Sequence, residues 1–287
     1  MSVVRERVRV FVRLSSAVAA VLALVPSAAW AQTYSVELQP HTYQPLPIGG
    51  GTKTEHPYPS QFGGVGYAPY QMVINLPFTV PFFGVDYDTV TVMGNGSVQF
   101  GVGTFTNSTT DAAMDNRVIP STSGTYHNFV AVWRDKVVCQ GAGGPLATQY
   151  LGQPGSRQLV IEWNNCRRYA SSGEFTAQLW LTENDPTIEV HYGFLGTSAQ
   201  NWVAGMGIEN FDGTDGTPGL GLDGTVCTPN CTPADFPAGH RLIYASGPSV
   251  SLDSVDVVPQ PVNIGYTADV SALVTNNRGK DLDNVAV

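Results

Sequence analysis

The chain has 287 residues, a net charge of −9 at pH 7 and only 13% charged residues. This acidity argues against nucleic acid or an anionic membrane surface as a partner, because both are recognised by clustered positive charge. The 31 glycines, 20 prolines and 10% aromatic residues favour an all-β extracellular module over a disordered chain.

The N-terminal segment has the three parts of a secretory signal peptide. Its basic start contains four arginines, Arg5, Arg7, Arg9 and Arg13. Residues 14–25 are apolar but too few to span a bilayer, and Ala29-Trp30-Ala31 provides a cleavage site. We therefore predict that residues 1–31 are a signal peptide and that the mature protein is secreted or held at the cell surface. The alternative is an uncleaved membrane anchor; after cleavage, no transmembrane segment is predicted.

Residues 32–70 are rich in glycine, proline, tyrosine and histidine, and we predict an extended lead-in with one weak strand at 34–38. From residue 71, apolar and polar residues alternate in short runs, separated by clusters of turn-forming residues. The Asn95-Gly96 pair between two such runs is a strong hairpin signal. The predicted strands lie at 72–76, 89–93, 97–101, 128–138, 157–164, 174–182, 187–192, 202–208 and 240–245.

These alternating runs, with no helical period between them, predict an all-β fold for residues 71–247. The architecture we expect is an antiparallel β-sandwich or jelly roll. In the strand at 174–182, every second residue faces the core: Phe175, Ala177, Leu179 and Leu181. After residue 247, strands at 250–258 and 266–275 and the start of a third at 284 predict an incomplete immunoglobulin-like β segment over 248–287.

The four cysteines are Cys139, Cys166, Cys227 and Cys231. An even number in an exported chain favours two disulfides, for which three pairings can be drawn. We favour the local pairing, in which Cys139 bonds to Cys166 and Cys227 bonds to Cys231. A zinc site is the competing interpretation, and the absence of histidines at ligand spacing argues against it.

No catalytic motif occurs in the sequence, and we predict a protein that is not an enzyme and has no cofactor. Glu189 and His191 share the polar face of a strand, where they form either an acid–base pair or a solvated surface. Asp212, Asp215 and Asp223 lie in a glycine-rich stretch that either binds calcium or simply forms turns. Trp180 faces away from the core and either binds a ligand or joins a second apolar layer, covered by the other sheet or the lead-in.

Five stretches of the predicted sandwich occur together in a characteristic order. They are LPFTVPFFGVDYDTVTVMGNGSVQFG, NFVAVWRD, RQLVIEWNN, GEFTAQLWLTENDPTIEVHYG and VAGMGIENFDGTDG. From about residue 76 to residue 210, this order resembles the nidogen-like extracellular β module of secreted bacterial proteins. The resemblance implies the β architecture and says little about the ligand.

The C-terminal stretch SLDSVDVVPQPVNIGYTADVSALVTNNRGKDLDNVAV resembles the first half of a cell-adhesion-related bacterial (CARDB) domain, an immunoglobulin-like repeat. The positions that match its layout are Pro259, Pro261, Gly265, Asn277 and Gly279. This resemblance implies a spacer or adhesive repeat.

Together these features predict an exported, non-catalytic binding or adhesion module whose partner is an extracellular protein or glycan. The alternative is an accessory module of a secreted hydrolase whose catalytic domain is not in this chain. Glycan binding is one role that such an accessory module could have.

Overall fold

The computed structural model describes residues 5–12, 34–56, 71–103, 118–122, 126–135, 137–139, 146–168, 174–196, 204–227, 232, 234–246, 250–258 and 268–276. The strands, in chain order, are β1 (Arg5–Val12), β2 (Tyr34–Pro40), β3 (Thr54–His56), β4 (Gln71–Phe82), β5 (Val85–Met93), β6 (Ser97–Phe100), β7 (Phe129–Arg134), β8 (Val137–Val138), β9 (Leu146–Leu151), β10 (Gln158–Arg168), β11 (Glu174–Thr182), β12 (Ile188–Leu195), β13 (Gly205–Glu209), β14 (Gly216–Leu220), β15 (Val226–Cys227), β16 (His240–Ser246), β17 (Val250–Val258) and β18 (Ala268–Asn276). A short 3-10 turn lies at Ile48–Gly50. Within these residues, no helix has the length and apolar character needed to cross a membrane.

The chain divides into two compact units, Thr33–Ser246 and the combination of Met1–Gln32 with Gly247–Val287. The larger unit contains two antiparallel sheets. One has eight strands in the order β2-β16-β12-β11-β10-β9-β3, with β8 also pairing with β10. The other has seven strands in the order β15-β14-β13-β7-β6-β5-β4. The two sheets pack face to face, which confirms the predicted all-β sandwich.

The core lies between the sheets and is built from alternate residues of their strands. The four residues predicted to face it from β11, Phe175, Ala177, Leu179 and Leu181, are all fully buried. Tyr192 of β12 donates its hydroxyl hydrogen to the backbone carbonyl oxygen of Val132 in β7, at 2.7 Å. This hydrogen bond satisfies a buried hydroxyl group and joins the two sheets through the core.

The hairpin between β5 and β6 has the predicted Asn-Gly turn, in which Gly96 adopts a positive φ of 72°. The strand predicted at 128–138 is instead divided into β7 and β8. The break occurs at Asp135, whose N–H donates to the carbonyl oxygen of Asn95 at 3.1 Å, and β7 and β8 then join different sheets. The chain therefore crosses from one sheet to the other within this predicted strand.

The smaller unit has one described sheet, in the order β1-β18-β17. Strands β1 and β18 are antiparallel, with Arg5 opposite Thr275 and Val12 opposite Ala268. Strand β1 belongs to the segment that the sequence predicts to be removed on export. Strands β17 and β18 correspond to the predicted strands at 250–258 and 266–275, whereas the one predicted from 284 lies outside the described residues.

Candidate functional site

The segment that joins β2 to β3, residues 41–53, crosses the outer face of the eight-stranded sheet, and we call it the strap. Strands β2 and β3 are consecutive in the chain but lie at opposite edges of this sheet. At the usual strand spacing these edges are about 29 Å apart. Thirteen residues lie between Pro40 and Thr54, and a fully extended chain of that length spans at most about 45 Å. This part of the predicted lead-in is therefore long enough to cross the sheet from one edge to the other.

Beneath the strap, polar side chains stand directly opposite one another on five neighbouring strands. The pairs in register are Glu162 with Gln178, Gln178 with His191, His191 with Arg241, and Arg241 with Gln39. We call these five residues the polar row. Alternation turns them away from the core, because their neighbours along each strand face the other sheet.

Glu162 is the main attachment point of the strap. Its Oε1 atom accepts hydrogen bonds from the Tyr43 hydroxyl at 2.8 Å, from the Leu46 N–H at 3.0 Å and from Gln178 Nε2 at 2.8 Å. The side chain is completely buried, and its second oxygen, Oε2, has no hydrogen-bond partner among the described residues. Gln178 Nε2 also donates to the carbonyl oxygen of Gln44, at 2.9 Å. Two side chains of the sheet thus bind both the backbone and a side chain of the strap.

The strap is also held by a second apolar layer and a reciprocal amide contact. Leu46 is buried against Ala147 and Val160. Gln149 accepts a hydrogen bond from the N–H of Ile48 at 2.8 Å and donates one to its carbonyl oxygen at 3.0 Å. A neighbouring β-strand would bond the N–H and carbonyl groups of Ile48 in the same way, but here the Gln149 side chain alone makes both hydrogen bonds.

A glycine in β12 makes room for the Tyr43 ring. A Cβ atom at Gly193 would lie 2.7 Å from Cγ of that ring. Because real Cβ atoms do not approach other atoms so closely, any other residue here would displace the tyrosine. Burial and the neighbouring Glu162 carboxylate raise the pKa of the Tyr43 hydroxyl, so this group remains a hydrogen-bond donor.

At β12, in the middle of the polar row, the two residues predicted to share a polar face do form a pair. His191 Nε2 donates to Glu189 Oε2 at 2.8 Å, and Arg241 Nη1 donates to the same oxygen at 2.9 Å. Burial alone would raise the pKa of Glu189, but the hydrogen bonds and charges of His191 and Arg241 outweigh it and hold the pKa below its usual value. His41 of the strap lies over His191, with 4.2 Å between the ring centroids.

Trp180 is half-buried beside this group and packs against the apolar layer under the strap. Its ring stacks on His191 with 4.9 Å between centroids, and its Nε1 donates to Gln178 Oε1 at 3.0 Å. One ring face therefore contacts His191, and the N–H is already bonded within the protein.

A second buried carboxylate lies in the seven-stranded sheet, at the end of β13. Glu209 is only 2% exposed; its Oε1 accepts from His127 Nδ1 at 2.7 Å and its Oε2 from the Ser121 N–H at 2.8 Å. Burial raises the pKa of Glu209, although the His127 hydrogen bond opposes this effect. On a neighbouring strand, the Arg134 guanidinium lies 4.5 Å from the centre of the Phe129 ring.

The predicted calcium ligands lie in turns that hydrogen bonds already close. Asp212 accepts from the N–H of Thr214 at 3.0 Å, and Asp223 accepts from the N–H of Thr225 at 2.9 Å. Hydrogen bonds from the threonine hydroxyls, followed by these backbone bonds, lower the pKa of both aspartates. Asp215 follows the first turn, and its N–H donates to Asn210 Oδ1 at 3.2 Å. Among the described residues, no group of three or more histidine, cysteine or acidic side chains is arranged to hold a metal ion.

Cys139 and Cys166 form the predicted disulfide, with Cα atoms 4.2 Å apart. Cys166 is in β10, and Cys139 follows β8, the strand that pairs with β10. The bridge therefore connects neighbouring strands of the eight-stranded sheet. The other predicted bridge, between Cys227 and Cys231, lies outside the described residues, because only the backbone of Cys227 is described.

Sequence reasoning did not identify Glu162, Gln178 or Tyr43 as site residues. One signal was present: Glu162 is a charged residue within the otherwise apolar run Leu-Val-Ile-Glu-Trp. Buried carboxylates are rare unless they have partners, so a charge in such a strand indicates that another segment covers it. The sequence does not show that the strap is that segment, since its path depends on the strand order.

Comparison with known proteins gives one family. No curated protein and no solved structure matches the chain. The model of the family described as "NIDO related" matches residues 33–234, which is well over half of the chain and nearly all of the larger unit. This family is not known as a catalytic domain. The match includes the strap, every strand of both sheets except β16, and four of the five residues of the polar row. The chain therefore belongs to the NIDO-related family.

Proposed function

We propose that this chain is an exported, non-catalytic binding or adhesion module of the extracellular space. The observation that carries this proposal is the extent of the family match: residues 33–234 span almost the whole Thr33–Ser246 sandwich. The matched segment thus corresponds to nearly all of one compact folding unit. The Cys139–Cys166 bridge is consistent with export, because disulfides persist in oxidising compartments.

The bonding of the acidic groups supports a non-catalytic role. Glu162 accepts three hydrogen bonds from the strap and sheet, and Glu189 is shared between His191 and Arg241. A general base needs a carboxylate or imidazole that can reach a substrate proton. These carboxylates instead stabilise the fold, which leaves the exterior of the sandwich for recognition of an extracellular protein or glycan.

For residues 248–287, we propose the spacer or adhesive role implied by the CARDB resemblance. Strands β17 and β18 are antiparallel over Val250–Val258 and Ala268–Asn276, as the first strands of an immunoglobulin-like sheet would be. Removal of the predicted signal peptide would take away β1, which pairs with β18, and the remaining pair of strands would be marginally stable in water.

Export is tested by producing the full chain with a C-terminal tag in a bacterium and sequencing its N-terminus. We expect Gln32 as the first residue of the secreted protein. Ala31→Arg should block cleavage, because the position before the cut requires a small residue. Ala28→Arg is the matched control, because it lies outside Ala29 and Ala31, the two small residues of the predicted cleavage site. A secreted chain that retains Met1 would contradict the signal-peptide prediction.

Binding is tested with the secreted protein on a glycan array and on a panel of purified extracellular proteins. We expect saturable binding to a member of one panel and no turnover of ester, glycoside or peptide substrates. If a glycan binds, Trp180→Ala should weaken binding when the site includes Trp180 and should leave binding unchanged when the site lies elsewhere. Tyr150→Ala is the control, since this aromatic residue lies on the same sheet and is 45% exposed. Turnover of any substrate by the purified chain would contradict the non-catalytic assignment.

A further inference from the structure

His41 is the first residue of the strap, and its position is fixed by the backbone. Its N–H donates to the carbonyl oxygen of Gly239 at 2.8 Å. Its ring lies over the buried His191, with 4.2 Å between centroids. Two imidazolium rings at this separation would repel each other strongly, so the contact favours a neutral His41.

The charged and titratable groups around His41 come from two strands of the sheet. Strand β12 provides His191 and Glu189, and β16 provides Arg241, which is charged at every relevant pH. The one carboxylate in this set, Glu189, already accepts hydrogen bonds from both His191 and Arg241. Glu162 contacts the next part of the strap, through Tyr43 and Leu46. A proton on His41 would therefore add a positive charge beside Arg241.

We propose that the strap is an acid-sensitive cover of the polar row, held in place while His41 is neutral and loosened when His41 gains a proton. Its contacts to Glu162, Gln178 and Gln149 are formed by residues 43–48, which begin two residues after His41. Because the strap is continuous with β2 and β3, it would lift from the sheet as a loop and remain tethered at both ends.

The direction of the pH effect follows from the environment of His41. Burial, the neighbouring His191 and Arg241 lower the pKa of His41 from its ordinary value of 6.5, and Glu189 only partly opposes them. Because docking lowers the pKa of His41, the docked strap favours the neutral imidazole, and this stabilisation is fully present above pH 6.5. That stabilisation decreases as the pH falls below 6.5 and through the lowered pKa. The pKa of Glu189 is held below its usual value by His191 and Arg241, so this carboxylate beside His41 keeps its charge in this window.

Lifting the strap would uncover a distinctive surface. Gln149, Glu162 and Gln178 now bind the N–H and carbonyl groups of residues 44–48. The same side chains can bind the backbone of another extended segment, because the groups they recognise are common to all chains. Acid would thus convert a covered face into one that can accept an extended peptide.

Hydrogen exchange of the N–H groups of Leu46 and Ile48 tests this proposal on the full chain with its Cys139–Cys166 bridge oxidised. Protection factors, corrected for the intrinsic pH dependence of exchange, are compared at about pH 7.5 and about pH 5, on either side of the histidine range. We expect protection at both positions to decrease several-fold at the lower pH. In His41→Phe, which keeps a ring but cannot be protonated, and in His41→Gln, protection should be independent of pH.

His56→Gln is the matched control. His56 lies in β3 just beyond the other end of the strap, and burial lowers its pKa too. This variant should keep the wild-type response. If protection in the wild type does not change with pH, the proposal is wrong. If the His41 variants respond to acid as the wild type does, or if His56→Gln removes the response, His41 is not the sensor and the proposal also fails.

Discussion

Two sets of carboxylates in the sandwich are bonded over very different distances along the chain. Glu162 binds Tyr43 and Leu46, which are 119 and 116 residues away, and Glu209 binds His127, 82 residues away. Asp212 and Asp223 each bind a threonine only two residues further on. The first set is buried and the second lies in exposed turns.

This difference separates acidic residues that hold the tertiary structure from those that shape a turn. A buried carboxylate depends on donors from distant segments, and it leaves those donors unpaired when it is removed. An aspartate in a turn contributes locally, and water can replace its bonds. The spacing of acidic residues in a glycine-rich stretch therefore indicates turns here, whereas a single glutamate in an apolar strand indicates a long-range contact.

The largest effect should come from Glu162→Ala. Three donors, the Tyr43 hydroxyl, the Leu46 N–H and Gln178 Nε2, would lose their acceptor in a buried site. We expect the free energy of unfolding to fall by roughly 3–5 kcal/mol in urea titrations. Glu162→Gln retains an oxygen for the three donors and should cost much less. Equal losses for the two variants would show that the charge, and not the acceptor, holds the strap.

The two predicted disulfides also differ in how far apart in the chain their cysteines lie. Cys139 and Cys166 are separated by 27 residues, and closing a loop of this length stabilises a fold by about 3.5 kcal/mol through restriction of the unfolded chain. The double variant to alanine should lose that amount in chemical unfolding. Removal of Cys227 and Cys231 should cost less, since a shorter loop restricts the chain less. Peptide mapping that links Cys139 to Cys227 would contradict this pairing.

Glu209 should show a smaller effect that depends on pH. Burial raises its pKa in the folded state, so its contribution to stability is present below its ordinary value of 4.5 and is lost as the pH rises through the raised value. Glu209→Gln cannot ionise. The free energy of unfolding of the Glu209→Gln variant should therefore increase, relative to that of the wild type, as the pH rises from 4 to 7. A difference between the two proteins that is constant over this range would show that Glu209 is not perturbed.

The smallest effect is expected at the aspartate turns. Asp212→Asn and Asp223→Asn retain an oxygen that can accept the threonine N–H, so the melting temperature should change little. Calcium or a chelator should leave the melting temperature of the wild type unchanged. An increase with calcium that Asp215→Ala abolishes would instead support the calcium interpretation of this stretch.

Alternation and turn chemistry were sufficient to predict the class of fold. Period two in the strand at 174–182 correctly placed Phe175, Ala177, Leu179 and Leu181 in the core, and Asn95-Gly96 correctly placed a hairpin. These are local properties, and each depends on a few neighbouring residues.

The parts that sequence reasoning missed depend on strand order. The run at 128–138 is predicted as one continuous strand, but its two ends pair with strands of different sheets. The strap crosses the sheet because β2 and β3 occupy opposite edges, which their own residues do not reveal. Glu162, Gln178 and His191 become one row only when three strands align in register.

The pairing of β2 with β16 also has a consequence for the order of folding. Tyr34 lies opposite Ser246, so this ladder joins the first and last strands of the larger unit. Contacts of such high sequence separation form slowly, because a long loop must close before they yield any stabilisation. A ribosome that synthesises this chain must release residue 246 before the eight-stranded sheet can be completed. Until then the nascent polypeptide stays incompletely folded, which is the state that the proposed export would require.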